Sequence, residues 1–312
     1  MLKIIRAGLQ SSVQDAGRIG FRHIGVSRGG ALDLPALRIG NLLVGNTQGE
    51  AALEIVLGQF TLEFESDTWF ALTGAGSHAE LDGSPVWTGW RLLARAGQRL
   101  TLGVPQRGMR SYLAVAGGID VPEVMGSKST HFVGGFGGYA GRKLADGDRL
   151  KVGVERKEFT QPQGVRQLLW GNRIRAIPGP EYHQFSAASR ENFWRQPWHL
   201  STESDRMGYR LHGQPLERQE TRELYSHGLM PGVIQVPHNG LPIVLMNDAQ
   251  TTGGYPRIAT IIEADRYHLA QMRLGEPIHF VQCSVDEALA ADNEHQLYFS
   301  QLAWQLEHQS AR

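Results

Sequence analysis

The sequence predicts a mainly β protein with short helices, built as two β-rich units followed by a helical C-terminal tail. Three observations carry this. Strand-like segments separated by Gly, Pro or Asp recur through the first half, a polar aperiodic interval at 150–167 divides the 312 residues, and apolar residues return at helical spacing after Ser284. At roughly 100–200 residues per domain, the length suits about two domains.

In chain order, segments 2–6, 60–64, 69–72, 91–94, 99–104 and 111–116 read as strands, and their spacing favours a barrel or sandwich over strand–helix–strand units. One helix interrupts them. Asp33 can cap it, Pro35 is tolerated in its first turn, Leu34, Leu37, Leu42 and Leu43 supply an apolar stripe, and Gly45-Asn46 stops it. The interval containing Glu155-Arg-Lys-Glu158 and Gln161-Pro-Gln-Gly164 has the composition of a linker. Beyond it, 173–177, 232–236, 243–246, 258–263 and 277–281 read as strands, with short helices near 182–193 and 265–273. Val285, Ala288, Leu289, Leu297, Phe299, Leu302, Trp304 and Leu306 then predict a tail helix. The expected division is 1–160, 161–283 and 284–312.

Composition excludes several functions. Lys+Arg (31) equals Asp+Glu (31), so there is no global field to gather nucleic acid or an anionic membrane, and neither is an expected partner. The single cysteine, Cys283, rules out an intramolecular disulfide or a Cys-based zinc cluster; it reads as a buried strand thiol in a reducing compartment. The start lacks a signal-peptide apolar region and no apolar run approaches ~18 residues, so the expectation is a cytoplasmic protein. Glycine is the outlier, at 38 residues of 312, or about 12% against a usual ~7%, which predicts many tight turns and close backbone approaches. Only Lys3, Lys128, Lys143, Lys151 and Lys157 are lysines, leaving an arginine-rich set that reflects either coding preference or the use of planar forks for carboxylate and phosphate.

Standard catalytic signatures are missing. There is no His-Glu-x-x-His or Gly-x-Ser-x-Gly motif, Gly126-Ser-Lys128-Ser-Thr130 fails as a Walker A loop, and Gly135-Phe-Gly137-Gly-Tyr-Ala140 reads better as a loop and turn than as a dinucleotide fingerprint. The twelve histidines show no metal-ligand spacing. Three polar clusters remain. In the first, Val13-Gln14-Asp15-Ala-Gly17-Arg18 and Gly25-Val-Ser-Arg-Gly29-Gly30-Ala-Leu-Asp33, two glycines precede a capped helix; this is either an anion site, with Arg18, Arg28 or His23 as added donors, or only a turn and a cap. The second is Asp205-Arg206-Met207-Gly208-Tyr-Arg210-Leu211, where Arg206 and Arg210 would share a face if helical, or Asp205 and Arg206 would simply pair in a loop. In the third, a buried strand at 243–246 delivers Asn247, Asp248, Gln250 and two threonines to Gly253-Gly254, as either a site with Asp248 as general base or a turn rich in Asx-type bonds.

These clusters also carry a resemblance. Ser12-Val-Gln-Asp15-Ala-Gly-Arg18, Gly29-Gly-Ala-Leu-Asp33, Val44-Gly-Asn46, Leu53-Glu54, Leu72-Thr-Gly74-Ala, Tyr112-Leu-Ala-Val-Ala-Gly-Gly118, Asp205-Arg-Met-Gly208 and Gln250-Thr-Thr-Gly-Gly-Tyr-Pro256 resemble the KipA-like family of biotin-dependent carboxyltransferase relatives. That family takes in the C subunits of bacterial 5-oxoprolinases, allophanate hydrolase subunit 2 and urea amidolyase-related proteins. The resemblance spans about residue 2 to about residue 282, leaving the tail as a variable extension. It implies two cyclophilin-like β-barrel units. It also implies a complex, with one KipI-like and one LamB/YcsF-type partner, that hydrolyses 5-oxoproline to glutamate at the expense of ATP.

Without a Walker A loop, this chain is expected to share ATP with the KipI-like partner; without a Met-Lys-Met carrier sequence, no biotin is expected to be attached to it. In that frame Asp248, Gln250 and Asp33 are the catalytic candidates. Arg18, Gly29, Gly30, Arg206, Gln235, Thr252, Gly253, Gly254 and Tyr255 are the substrate- and phosphate-binding candidates, and no metal ligands are expected. Two rival expectations stand beside it: a non-catalytic KipA-like regulator that binds a KipI-like kinase inhibitor, and a carboxyltransferase acting with a separate biotin carrier.

Overall fold

Arg110–Val115 and Thr68–Gly74 are buried at every position, so the sheet they share must be covered on both faces. The computed structural model, which describes residues 1–220 and 222–309, shows how. The chain forms two compact units, one of Met1–Arg18, Gly29–Leu169 and the tail from Tyr298, the other of Ile19–Arg28 and Trp170–Leu297.

In the first unit, a seven-stranded sheet runs in the order Ile119–Asp120, Arg149–Val152, Leu2–Arg6, Phe60–Phe64, Arg99–Leu102, Ala79–Leu81, Ser84–Val86. A six-stranded sheet runs Gln163–Gly164, Trp90–Ala94, Thr68–Gly74, Arg110–Val115, Ala52–Val56, Gln10–Gln14. One core joins them: Phe70, Leu72, Leu113 and Val115 meet Leu2, Ile4, Phe60, Leu62 and Leu100. The alternate residues of the same strands, Trp69, Ala71, Tyr112 and Ala114, form a second core with helix α1 (Leu34–Leu43) and with Phe299, Leu302 and Leu306 of the tail. The two-residue period of a strand thus sorts one apolar run into two cores. Helix α1 begins as expected: Asp33 Oδ1 accepts the Ala36 N–H at 2.9 Å and Pro35 sits in the first turn. It ends before Gly45, whose φ of +70° provides the left-handed residue that stops a helix.

The second unit contains a closed barrel in the order Arg173–Pro178, Arg257–Ile261, Val233–Gln235, Ile243–Leu245, Gly208–His212, Trp198–Leu200, Pro277–Gln282. The first and last of these pair in parallel and close it. The expected helix at 182–193 is broken: a 3₁₀ turn, Tyr182–Gln184, leads through extended Phe185 to helix α2 (Ala187–Arg195), whose Phe193 stacks on Phe280 at 5.0 Å. Helix α3 (Arg266–Gln271) follows, and Ser284 and Glu287 exchange bonds of 2.7 and 3.1 Å in a capping box that opens helix α4 (Val285–Gln309).

Three expectations differ from the structure. The interval 150–167 is not a free linker, because Phe159 packs edge-on against Trp69 and lies under the Arg91 guanidinium at 3.8 Å, while Gln163–Gly164 pairs with Trp90 and Arg91. The units divide between Leu169 and Trp170 rather than at 160. The tail is not a separate extension either: its start belongs to the second unit and its end to the core of the first, while residues 310–312 lie outside the described residues. Cys283 is buried as expected, and burial raises its thiol pKa. No described helix is long and apolar enough to cross a membrane.

Candidate functional site

The barrel strand Ile243–Leu245 exits into Met246, Asn247 and Asp248, and two backbone bonds fix that exit. The N–H of Met246 donates to Met207 O and that of Asp248 to Arg206 O, both at 3.0 Å. The turn at 205–208 is itself held by the Asp205 carboxylate, which accepts from the N–H groups of Met207 (2.8 Å) and Gly208 (3.1 Å). Asp248 is buried, and Arg206 grips it at two points, Nε to Oδ2 at 2.9 Å and Nη2 to Oδ1 at 3.1 Å. Both oxygens of the expected general base are therefore engaged, and the charge of the expected anion binder is neutralised by its partner. The shared helical face of Arg206 and Arg210 is also corrected: Gly208–His212 is a strand, and Arg206 turns inward while Arg210 and His212 stand on its exposed side.

That exposed side forms a wall of a cleft of about 380 Å³, with Asp205, Gln235, Gln250 and Tyr255 among the other residues around it. Gln235 is buried and donates from Nε2 to Tyr255 O at 3.2 Å. Gln250 is positioned by a residue that sequence reading passed over: Arg22 donates to the backbone carbonyls of Gln250 (3.3 Å) and Leu229, and burial, with Arg28 nearby, lowers its pKa. Thr252–Gly253 pairs with His227–Gly228 in a small ribbon, where a Cβ on Gly253 would lie 2.8 Å from Leu229 Cδ1. Gly254 instead lines an adjoining hollow of about 560 Å³ that shares Pro237 and Tyr255 with the cleft. That hollow is acidic, with Glu217, Glu220 and Glu223 around a single Arg218 whose guanidinium is held by Gln184 Oε1 at 2.7 and 3.0 Å. Gln235, Gln250 and Tyr255 are thus brought together, with Asp248 and Arg206 as buried support.

Residues 13–18 and 29–33 of the first cluster belong to the first unit and 25–28 to the second, and the amides beside Gly29-Gly30 do not form the expected phosphate cradle. The amides that follow Gly29-Gly30 are engaged within the protein: Ala31 N–H donates to Asp15 O (2.9 Å), Leu32 N–H to Glu54 Oε2 (3.0 Å) and Asp33 N–H to Tyr112 Oη (2.8 Å). The Asp33 carboxylate caps the helix, its Oδ1 accepting the Ala36 N–H. Arg18 is buried, donates to the carbonyls of Val124 and Ser129, and lies 4.8 Å from the centre of the Phe136 ring. Arg28 pairs with Glu263 at 3.8 Å, and a ring nitrogen of His23 lies 2.8 Å from Gly20 O.

Behind the α1 N-terminus is a buried network whose roles the sequence reading did not assign. Tyr112 Oη donates to Glu54 Oε2 at 2.6 Å, and Arg110 Nε lies 3.6 Å from Glu54 Oε1. Burial, reinforced by Glu54, raises the Tyr112 pKa well above its ordinary value of 10.0. The available signal was a lone carboxylate, Glu54, inside the apolar strand Ala52–Val56.

Comparison with known proteins agrees with this architecture. Residues 24–282 match the family model described as carboxyltransferase domain, subdomain A and B. The chain is 68% identical over 310 residues to the 5-oxoprolinase C subunit of Escherichia coli K12, covering 99% of this chain and all of that one. It is 42% identical over 305 residues to the Haemophilus influenzae protein of the same name, covering 97% of each. Among solved structures, Kluyveromyces lactis urea amidolyase superposes with a TM-score of 0.91 at 28% identity, over 96% of this chain but only 20% of that much longer one.

Proposed function

The chain belongs to the family of carboxyltransferase domains with subdomains A and B, and from that premise we propose that it is a subunit of a 5-oxoprolinase, an ATP-hydrolysing complex that opens the lactam of 5-oxoproline to glutamate. The observation that carries this reading is the 68% identity, over essentially the whole of both chains, to a protein named as the C subunit of a 5-oxoprolinase. Membership of such an enzyme implies partners, here one KipI-like and one LamB/YcsF-type chain, assembled in the cytoplasm.

The substrate is a small planar amide bearing one carboxylate. The cleft in the second unit suits it, because Gln250 offers an amide that both donates and accepts, and the buried Arg206–Asp248 pair holds the adjoining turn rigid. A triphosphate does not fit at α1, where the amides are occupied and the buried carboxylates of Glu54 and Asp33 would repel it. On this reading ATP is held by the KipI-like partner. The test is glutamate release from 5-oxoproline and ATP by the purified partner chains with and without this one. Activity is expected only in its presence, and equal activity without it overturns the assignment.

A second reading, a carboxyltransferase acting with a separate biotin carrier, is favoured by the family model and by the TM-score of 0.91 to urea amidolyase. It predicts that avidin abolishes turnover, whereas the 5-oxoprolinase reading predicts indifference to avidin.

A further inference from the structure

The cluster around Asp205 contains two arginines, and the fold gives them opposite fates. Arg206 is buried against Asp248 with both carboxylate oxygens occupied. Arg210, four residues on, leaves the strand on its exposed side and lines the cleft, with 54% of its side chain accessible. Its nearest acid is Glu203, also on the cleft, at 3.9 Å and 77% accessible. An exposed pair at that distance is weak and readily exchanged for a better-placed anion. His212 stands two residues along on the same side of the strand and lines the same cleft. The backbone beneath is fixed: Arg210 N–H donates to Ser204 Oγ at 3.0 Å and Arg210 O accepts from Ser201 N–H at 2.9 Å. Arg210 thus presents a guanidinium to a cleft whose acids are Glu203 and Asp205, the latter accepting from the N–H groups of Met207 and Gly208, while Gln235 and Gln250 contribute amides to the same cleft.

We propose that Arg210, assisted by His212, is the carboxylate anchor of this cleft and sets its specificity for a lactam that carries an acid group. The inference rests on the reading of the cleft as the 5-oxoproline site and deepens it. The carboxylate of such an acid, with a pKa near 3.5, is ionised at neutral pH and presents two oxygens that match the guanidinium fork. Glu203 competes for that fork and tunes the affinity. In the adjoining hollow the comparable fork, Arg218, is already held by Gln184 Oε1 at 2.7 and 3.0 Å, whereas the side-chain contact of Arg210 is the weak pair with Glu203. Arg210 holds the substrate and does not touch the bond that breaks.

The experiment compares 5-oxoproline with 2-pyrrolidinone, the same lactam without the carboxylate, on the complex assembled with Arg210→Gln, Arg210→Lys or Glu203→Gln chains. Loss of a charge-assisted two-point contact should raise KM for 5-oxoproline about 10- to 100-fold in Arg210→Gln with kcat little changed, and partly so in Arg210→Lys. Inhibition by 2-pyrrolidinone should be unaltered, and Glu203→Gln should lower KM several-fold. An unchanged KM, or an equal loss for both lactams, overturns the anchor. If the wild-type complex makes no glutamate, the 5-oxoprolinase reading fails separately. Calorimetric binding of the two lactams to that complex and to its Arg210→Gln form then decides on Arg210, and a preference for 5-oxoproline that is absent, or that survives Arg210→Gln, overturns it.

Discussion

Arg206 and Asp248, 42 residues apart in sequence, meet in a buried two-point ion pair at 2.9 and 3.1 Å that locks the turn before one barrel strand to the exit of its neighbour. Removing one partner takes the ion-pair counter-charge from a buried group. Arg206→Met or Asp248→Leu alone is expected to cost about 3–5 kcal/mol in unfolding free energy, measured by denaturant titration. Removing both, as Arg206→Met with Asp248→Leu, should recover most of that loss, since the second charge no longer needs a partner. Single losses that simply add in the double variant would show that the pair is not coupled.

Tyr112 links Glu54 to the first amide of the helix cap, and its proton is held more tightly in the folded chain than in the unfolded one. A raised acid pKa in the folded state gives stability that is complete below the unfolded value and is lost as pH rises. Above about pH 10, unfolding should become easier by up to about 1.4 kcal/mol per pH unit. Tyr112→Phe should flatten this alkaline limb while costing about 1–3 kcal/mol at neutral pH, because Glu54 and the Asp33 amide each lose a partner. Alkaline unfolding curves for the two chains check both effects; parallel curves would remove Tyr112 as their source.

Strand periodicity and turn residues made most elements legible, including Leu2–Arg6, Phe60–Phe64 and the capped α1, because each is decided within a few residues. The site was legible only in part. Gln235, Gln250 and Tyr255, singled out within the polar run at 232–256, do line one cleft, but the fate of Arg206 depends on Asp248, a pairing that no local pattern encodes. The helical interpretation of Arg206 and Arg210 failed because Tyr209 and Leu211 alternate with Arg210 and His212, a two-residue period in so short a stretch that four-residue spacing competes with it. The first cluster misled for a different reason. Glycines before a helix expose amides in principle, and only Glu54, Asp15 and Tyr112, all distant in sequence from the helix start, reveal that those amides are already engaged.

His268 is enclosed in the second unit, its Nδ1 accepting the Gly171 N–H at 3.1 Å and its Nε2 lying 4.0 Å from Asp265, itself paired with Arg175. Burial lowers its pKa below 6.5, against the opposing pull of Asp265 and with Arg175 and His295 adding to the shift. The folded chain therefore prefers neutral His268, so stability is complete above about pH 6.5 and declines below it, by at most about 1.4 kcal/mol per pH unit from this group. Replacing it as His268→Gln should reduce the loss of unfolding free energy between pH 7.5 and 5.5. Identical losses in both chains would exclude this residue.

The last turns of α4 test whether the tail is an appendage or core. Phe299, Leu302 and Leu306 are 2–6% exposed and pack with Trp69, Tyr112 and α1, whereas Trp304, between them in sequence, is 61% exposed and stacks on His308 at 4.4 Å. Deleting a buried ring leaves a cavity as well as lost apolar transfer, so Phe299→Ala should cost about 3–5 kcal/mol. Trp304→Ala, on the outer face of the same helix, should stay within about 0.5 kcal/mol of the parent. The contrast matters more than either value. A frayed tail would make both substitutions neutral, and general loss of helix would make them equally costly, but a tail that completes the core of the first unit predicts a large loss at Phe299 and almost none five residues later.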